Sequence, residues 1–220
     1  MIVLDCVQGS PEWVQARLGI PTASRFDDIL TPKTMKLAEG RKTYMHELLA
    51  EWLLGEQLDK AETEWMQHGT FMEPQAVSWY EFHKGIDTTP VGFVLRDDKL
   101  VGCSPDRLIG LDGGLEVKCR GAEKQVACLL GKDPALTTQV QGCLWICERD
   151  WWDVLGYHER LPPVLTRVGR DEKVIGLLKS ALDQFTDELA EARLKITALG
   201  ALGRTDSLEA LLTASLELVP

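Results

Sequence analysis

The sequence predicts an α/β protein with a central mixed β-sheet flanked by helices. Three observations predict it. Stretches of helical periodicity bracket the chain, at residues 41–54 and 171–199. Between them lie short apolar runs punctuated by Gly and Pro, the pattern of strands. And residues 100–120, LVGCSPDRLIGLDGGLEVKCR, set two apolar arms around Leu111-Asp112-Gly113-Gly114, a hairpin-turn composition.

Each element has a local reason. Ser10 is placed to cap a first helix with Pro11 at its first position, and Gly19 ends it. Thr22 is placed to cap a second helix running to about Leu30. Residues 31–40, TPKTMKLAEG, read as a loop. In the helix that follows, Tyr44, Leu48, Leu49 and Trp52 recur on one face. A further helix is expected over about 62–83. Pro74 within it implies a kink or a restart. Gly69, costing about 1 kcal/mol relative to Ala in a helix, implies close backbone approach. Strands are expected at 92–95 and 100–101, with the central strand at 115–119. Helices follow at 122–130 and 134–148, then strands at 152–157 and 164–168 on either side of Pro162-Pro163. In the long helix Ile175, Leu178, Leu182, Phe185 and Leu189 form one stripe. A last Leu-rich helix is expected at about 205–218. The chain is expected to be a single domain, residues 1–220.

Composition narrows the class. No apolar run reaches membrane-spanning length, and the N-terminus MIVLDCVQGSPEW lacks the basic and long apolar regions of a signal peptide, so a cytoplasmic protein is the expectation. The six cysteines contain no CxxC pair, so the usual zinc spacing is absent. Cys143 and Cys147, four apart on an expected helix, could hold half a metal site; packing as small hydrophobes is the preferred reading. The net charge of −10 counts against broad, non-specific nucleic-acid binding. Locally the balance reverses: from Arg17 to Lys42 there are six basic residues (Arg17, Arg25, Lys33, Lys36, Arg41, Lys42) against three acidic. An acidic exterior with a basic lining is compatible with an enclosed nucleic-acid path, and with ordinary surface variation.

The chemistry centres on the hairpin. Alternation puts Glu116 and Lys118 on one face of their strand and Val117 on the other, and the hairpin can bring Asp106 across to Glu116. Two carboxylates and an ammonium then converge. Hard carboxylate oxygens suit Mg²⁺, which keeps several waters and bridges to phosphate. Such an ion activates a bound water and stabilises charge on phosphorus, and a nearby lysine can orient that water. An exposed hairpin with a surface Glu–Lys pair would carry the same spacing. Glu73, near Pro74, is a candidate third carboxylate, or a solvent-facing residue of an acidic helix. The start of the Thr22 helix, with Ser24 and Arg17 close by, could take a phosphate; a plain capped helix is the simpler reading.

The ordered pieces WVQARLGIPTAS, YMHELLAEW, HGTFMEPQA, CSPDRL, GGLEVKC, TTQVQGCLW and RDEK with its long helix cover about residues 9–195. Together they resemble the lambda exonuclease family of phage recombination nucleases, the YqaJ-like viral recombinases of the PD-(D/E)xK superfamily. The resemblance implies a restriction-endonuclease-like core. It implies that Asp106, Glu116, the Val117 backbone carbonyl and Glu73 hold one or two Mg²⁺ ions, for which Mn²⁺ could substitute, and that Lys118 positions the attacking water. Gln141, with Gln139 two positions earlier as the alternative, is expected near that centre. Arg17 and Ser24 are expected to hold a 5′-terminal phosphate, with Lys33, Thr22, Arg25 and Arg41 as further DNA contacts. His68 is a weaker candidate ligand, and Arg107 stands where the family often has Gly. The implied activity is 5′→3′ digestion of linear double-stranded DNA to mononucleotides, leaving a 3′ single-stranded tail. A ring-shaped homotrimer, a single-strand annealing protein as partner and a phage or prophage origin in a bacterial cell are implied with it. Two alternatives stay open: an endonuclease or single-strand nuclease with the same centre, and a non-catalytic DNA-end-binding protein.

Overall fold

A computed structural model describes residues 1–58, 64–131, 137–201 and 203. The helix expected at 205–218 lies outside the described residues, as do the first residues of those expected at 62–83 and 134–148. In chain order the elements are β1 (Ile2–Leu4), α1 (Pro11–Arg17), a 3₁₀ helix (Ala23–Asp28), α2 (Arg41–Leu54), α3 (Glu64–Lys84), β2 (Thr89–Pro90), β3 (Phe93–Leu95), β4 (Gly102–Cys103), β5 (Arg107–Ile109), β6 (Gly113–Cys119), α4 (Ala122–Leu129), α5 (Thr137–Ile146), β7 (Trp151–His158), β8 (Leu161–Gly169) and α6 (Glu172–Ala198).

The strands form two sheets. The larger is mixed, in the order β2-β5-β6-β7-β8, with β6 and β7 parallel and the other neighbours antiparallel. The smaller, β1-β3-β4, is antiparallel and takes up the strands expected near 92–101. Its third member, β1, has only three residues, too few to show alternation. Helices cover both faces of the larger sheet. Met72, Ala76, Val77 and Tyr80 of α3 pack on Ile109, Leu115, Val117, Leu155 and Tyr157. On the other face α2, α5 and α6 enclose Trp152 and Val154, and the expected α6 stripe of Ile175, Leu178, Leu182, Phe185 and Leu189 is buried there. Among the described residues, no helix is long and apolar enough to cross a membrane.

Five expectations change. The hairpin turn is Gly110-Leu111-Asp112, because the ladder already pairs Ile109 with Gly113. Gly113 and Gly114 belong to β6, where a Cβ would overlap the Trp151 and Trp152 rings of the neighbouring strand. Residues 23–28 form a 3₁₀ helix, and the Thr22 side chain makes no capping bond. α3 runs unbroken through Pro74, which lies on its exposed side. Among the described residues, a Cβ on Gly69 would meet nothing within 4 Å, so no close approach is seen there. Pro162 and Pro163 sit inside β8, tolerated because β8 is an edge strand.

One polar knot ties the layers. Asp153 of β7 is 1% exposed. It accepts from Arg167 Nε at 2.8 Å and Nη2 at 2.9 Å, and from the Tyr80 hydroxyl at 2.7 Å, joining β7 to β8 and α3. The Arg167 guanidinium also lies 3.7 Å from the Trp151 ring centroid.

Candidate active site

Register builds the centre. The β5–β6 ladder stops at the pair Arg107–Leu115. Asp106, the residue before β5, then turns its side chain onto the next strand position: Oδ2 accepts from the Val117 N–H at 2.6 Å. A strand residue's N–H and C=O point to the same side, so the Val117 carbonyl faces the Asp106 edge as well. With Leu115 and Val117 committed to the α3 side, Glu116 and Lys118 project towards α5. Glu116 is 3% exposed. Its Oε1 accepts from Lys118 Nζ at 2.6 Å and from Gln139 Nε2 at 2.7 Å. Its Oε2 is buried with no hydrogen-bond partner among the described residues.

Asp106, Glu116, Lys118 and Gln139 line a cavity of about 230 Å³, and Arg17 and Ser24 line the same cavity from α1 and the 3₁₀ helix. Arg17 and Ser24 also wall a second cavity of about 240 Å³, with Thr22, Arg25, Tyr44, Glu47 and Glu51 on its far side. The Arg17 guanidinium lies 4.0 Å from the Trp13 ring centroid, and no ion pair to it is formed among the described residues. Such a cation, partly withdrawn from water and felt by Glu51 only through space, is suited to an anionic ligand.

The charges are strongly coupled. Removal from water, the neighbouring Glu116 and the more distant Glu73 push the Asp106 carboxyl well above its ordinary range, against the pull of the Val117 N–H. Burial also pushes Glu73 up, countered first by Arg107. For Lys118, burial alone would lower the ammonium, but the charge and hydrogen bond of Glu116 outweigh it and leave the pKa raised.

A divalent ion suits this donor set in one respect and strains it in another. The orphaned Glu116 Oε2 and the raised Asp106 carboxyl both lack the positive charge an ion would bring. Yet among the described residues no three His, Cys, Asp or Glu side chains gather as a metal cage. The fit is therefore to Mg²⁺ held by two carboxylates, with waters, the strand carbonyl or substrate phosphate completing its shell.

The expected residues divide. Asp106, Glu116, Lys118, Arg17 and Ser24 come together. Glu73 is half-buried on α3 and acts on Glu116 and Lys118 electrostatically, but it does not line the cavity. Gln141 is displaced by Gln139. Gln141 donates to the Gly169 carbonyl at 2.9 Å and accepts from the Asp171 N–H at 2.9 Å, fastening the end of β8 to the start of α6. Arg41 pairs with Glu188 at 2.7 Å and lines neither cavity. Arg25 is held by Asp28 and by Glu47, the latter at 3.0 Å, and reaches only the second cavity. Thr22 is buried, its N–H given to the Tyr44 hydroxyl at 3.1 Å, and it too reaches only the second cavity. Lys33 is exposed and lines neither. His68 is half-buried on α3 and also lines neither. Arg107 faces α3, where its charge acts on Glu73 and Glu81.

Gln8, Trp13, Ser104 and Cys143 also line the cavity of Asp106 and Glu116, and the sequence does not single them out as site residues. Ser104 lies within the SPD run, whereas Gln8 carries no sequence signal of its own. The glutamine assignment is directly testable. Gln139→Ala should reduce turnover by about tenfold or more, the scale of losing a hydrogen bond to a buried charged group. Gln141→Ala should chiefly lower the melting temperature. Steady-state digestion and thermal melts on both variants separate the two.

Comparison with known proteins shows the family and the fold. Residues 12–150 match the model of the YqaJ-like viral recombinase domain. The crystal structure of an alkaline exonuclease, LHK-Exo from Laribacter hongkongensis, is similar at 33% identity and a TM-score of 0.76, covering 87% of this chain and 99% of that one. LHK-Exo in complex with dAMP gives 32% identity and a TM-score of 0.78 over the same shares, 87% and 99%. A phage related exonuclease from Haemophilus somnus 129PT shares the fold at 18% identity and a TM-score of 0.59, over 79% of this chain and 96% of that one. No curated protein matches the chain.

Proposed function

Because this chain belongs to the YqaJ-like viral recombinase family, with an alkaline exonuclease among its similar structures, we propose that it is a Mg²⁺-dependent 5′→3′ exonuclease of phage-type recombination. It acts on the ends of linear double-stranded DNA, releases 5′-mononucleotides and leaves a 3′ single-stranded tail. One observation carries this reading. The acidic centre of Asp106, Glu116 and Lys118 shares a cavity with Arg17, a cation that has no ion pair among the described residues. A centre for hydrolysis beside a phosphate anchor is what cleavage close to a strand end requires. That LHK-Exo was crystallised with dAMP, a mononucleotide, is consistent with it.

The division of labour follows from the contacts. Asp106 and Glu116 would hold Mg²⁺, with the Val117 carbonyl as a further donor. Bound there, the ion would supply an activated water and neutralise charge developing on phosphorus. Gln139 and Lys118 share Glu116 Oε1, so they fix that carboxylate's rotation and leave Oε2 as the oxygen that would serve a bound ion. Lys118 keeps its proton and can hold the attacking water by donating to it. Arg17 and Ser24 grip the terminal 5′-phosphate, with Trp13 backing the guanidinium. Glu73 reinforces the negative field from behind the strand. A ring-shaped homotrimer is compatible with the net charge of −10: the overall acidic charge repels stray DNA, and Arg17 need meet only the strand end. The 3′ tail would pass to a single-strand annealing protein, inside the host bacterial cell.

Digestion of 5′-phosphorylated linear duplex, 5′-hydroxyl linear duplex and closed circular duplex, each with Mg²⁺ or with chelator, tests the reading. Only linear DNA with Mg²⁺ should be consumed, with the phosphorylated end preferred. Cutting of the circle would favour an endonuclease. Arg17→Ala should reduce the preference for a 5′-phosphate by about 10–100-fold, the worth of a charge-assisted hydrogen bond to phosphate. An unchanged preference would remove Arg17 from the anchor.

A further inference from the structure

The turn that presents Asp106 is gripped by a segment near the N-terminus. Gln8 Nε2 donates to the Val91 carbonyl at 2.8 Å and to the Pro105 carbonyl at 2.7 Å, which uses both of its amide hydrogens. Trp13 Nε1 makes a parallel grip, 3.2 Å from the Gly92 carbonyl and 3.0 Å from Ser104 Oγ. Both residues line the cavity. The segment is laid tightly across these strands: a Cβ on Gly92 would overlap the Cys6 carbonyl. The Pro105 carbonyl belongs to the planar peptide unit that leads into Asp106. Fixing that carbonyl therefore fixes the direction in which the Asp106 side chain leaves the backbone. At its other end the carboxylate is fixed by the Val117 N–H at 2.6 Å.

We propose that Gln8 is a positioning residue for Asp106: by holding the Pro105 carbonyl against Val91, it sets the orientation in which Asp106 meets Val117 and Glu116. Its consequence for metal binding rests on the proposed nuclease reading; the orientation itself does not. Gln8 is exposed, so replacing it empties no core space, and the Trp13 grip keeps Ser104 in place. Gln8 lies before residue 12, where the match to the recombinase domain begins, so this grip comes from outside the matched region.

Gln8→Met in the full chain keeps the length of the side chain and removes both donors. Two measurements read the result. In metal-free protein, amide hydrogen exchange at Val117 should quicken by about tenfold, while Leu115 and Leu155 exchange as in wild type. Mn²⁺ binding by calorimetry should weaken by about tenfold, the usual cost of losing a group that orients a ligand. Gln8→Glu, which can accept but not donate, should behave the same way. Val117 exchange within twofold of wild type in both variants overturns the proposal. Faster exchange along the whole of β6 also overturns it, in favour of a general structural role. If wild type binds no Mn²⁺ while Val117 still responds to Gln8→Met, the metal reading fails and the positioning role stands.

Discussion

Asp106→Asn should abolish digestion of linear duplex, by on the order of 10³-fold or more, equivalent to about 4 kcal/mol of transition-state stabilisation. Asn keeps an acceptor for the Val117 N–H but offers the ion a neutral oxygen in place of an anionic one. The same substitution should stabilise the metal-free protein. Burial and Glu116 push the Asp106 carboxyl above its ordinary value of 3.8, so the folded state holds that proton more tightly than the unfolded chain. Ionisation therefore costs folded stability. The cost begins above the unfolded value, grows as pH rises towards the folded one, and is fully present beyond it. Thermal melts in chelator should show Asp106→Asn above wild type at neutral pH, with the gap closing near pH 4. Retained digestion would refute the role in metal binding. A variant less stable than wild type at neutral pH would refute the electrostatic account.

Arg167→Ala should be the most damaging surface truncation, costing about 3–5 kcal/mol, because it strands a buried carboxylate. Asp153 would keep only the Tyr80 hydroxyl of its three donors. For a chain of this size the melting temperature should fall by roughly 6–20 °C. Arg167→Lys, which can supply charge but not two parallel N–H groups, should fall between. Because the knot lies away from the cavity, digestion well below the transition should survive. Loss of activity with unchanged stability would contradict a structural role.

How much of this was legible in the sequence depends on the range over which each signal acts. The alternation Glu116-Val117-Lys118 needed only the strand period, and it correctly placed two polar groups opposite Val117. The α6 stripe needed only the helical period. The choice between Gln139 and Gln141 needed more. Residues two apart on a helix face different ways, so one had to miss, but which one depends on the rotation of α5 against β6. That rotation is set by packing of Val140, Leu144 and their neighbours in the core. The turn was misplaced for a similar reason. Gly113 and Gly114 look like turn residues, yet they are required by tryptophans almost forty positions later. The basic residues of the N-terminal third were visible, but not their partners. Glu47 and Glu188 withdraw Arg25 and Arg41, and only tertiary structure separates those cations from Arg17. The contribution of Gln8 rests wholly on contacts of high sequence separation.

The two prolines of β8 have a consequence for association between chains. β8 ends the larger sheet, and an exposed strand edge is a template on which a foreign strand can zip. Pro162 and Pro163 present no N–H, and the Pro162 carbonyl is already taken by Gln125 Nε2 at 2.8 Å. The first part of that edge cannot seed a continuous intermolecular sheet. The chain is thereby guarded, at this edge, against aggregation by strand addition.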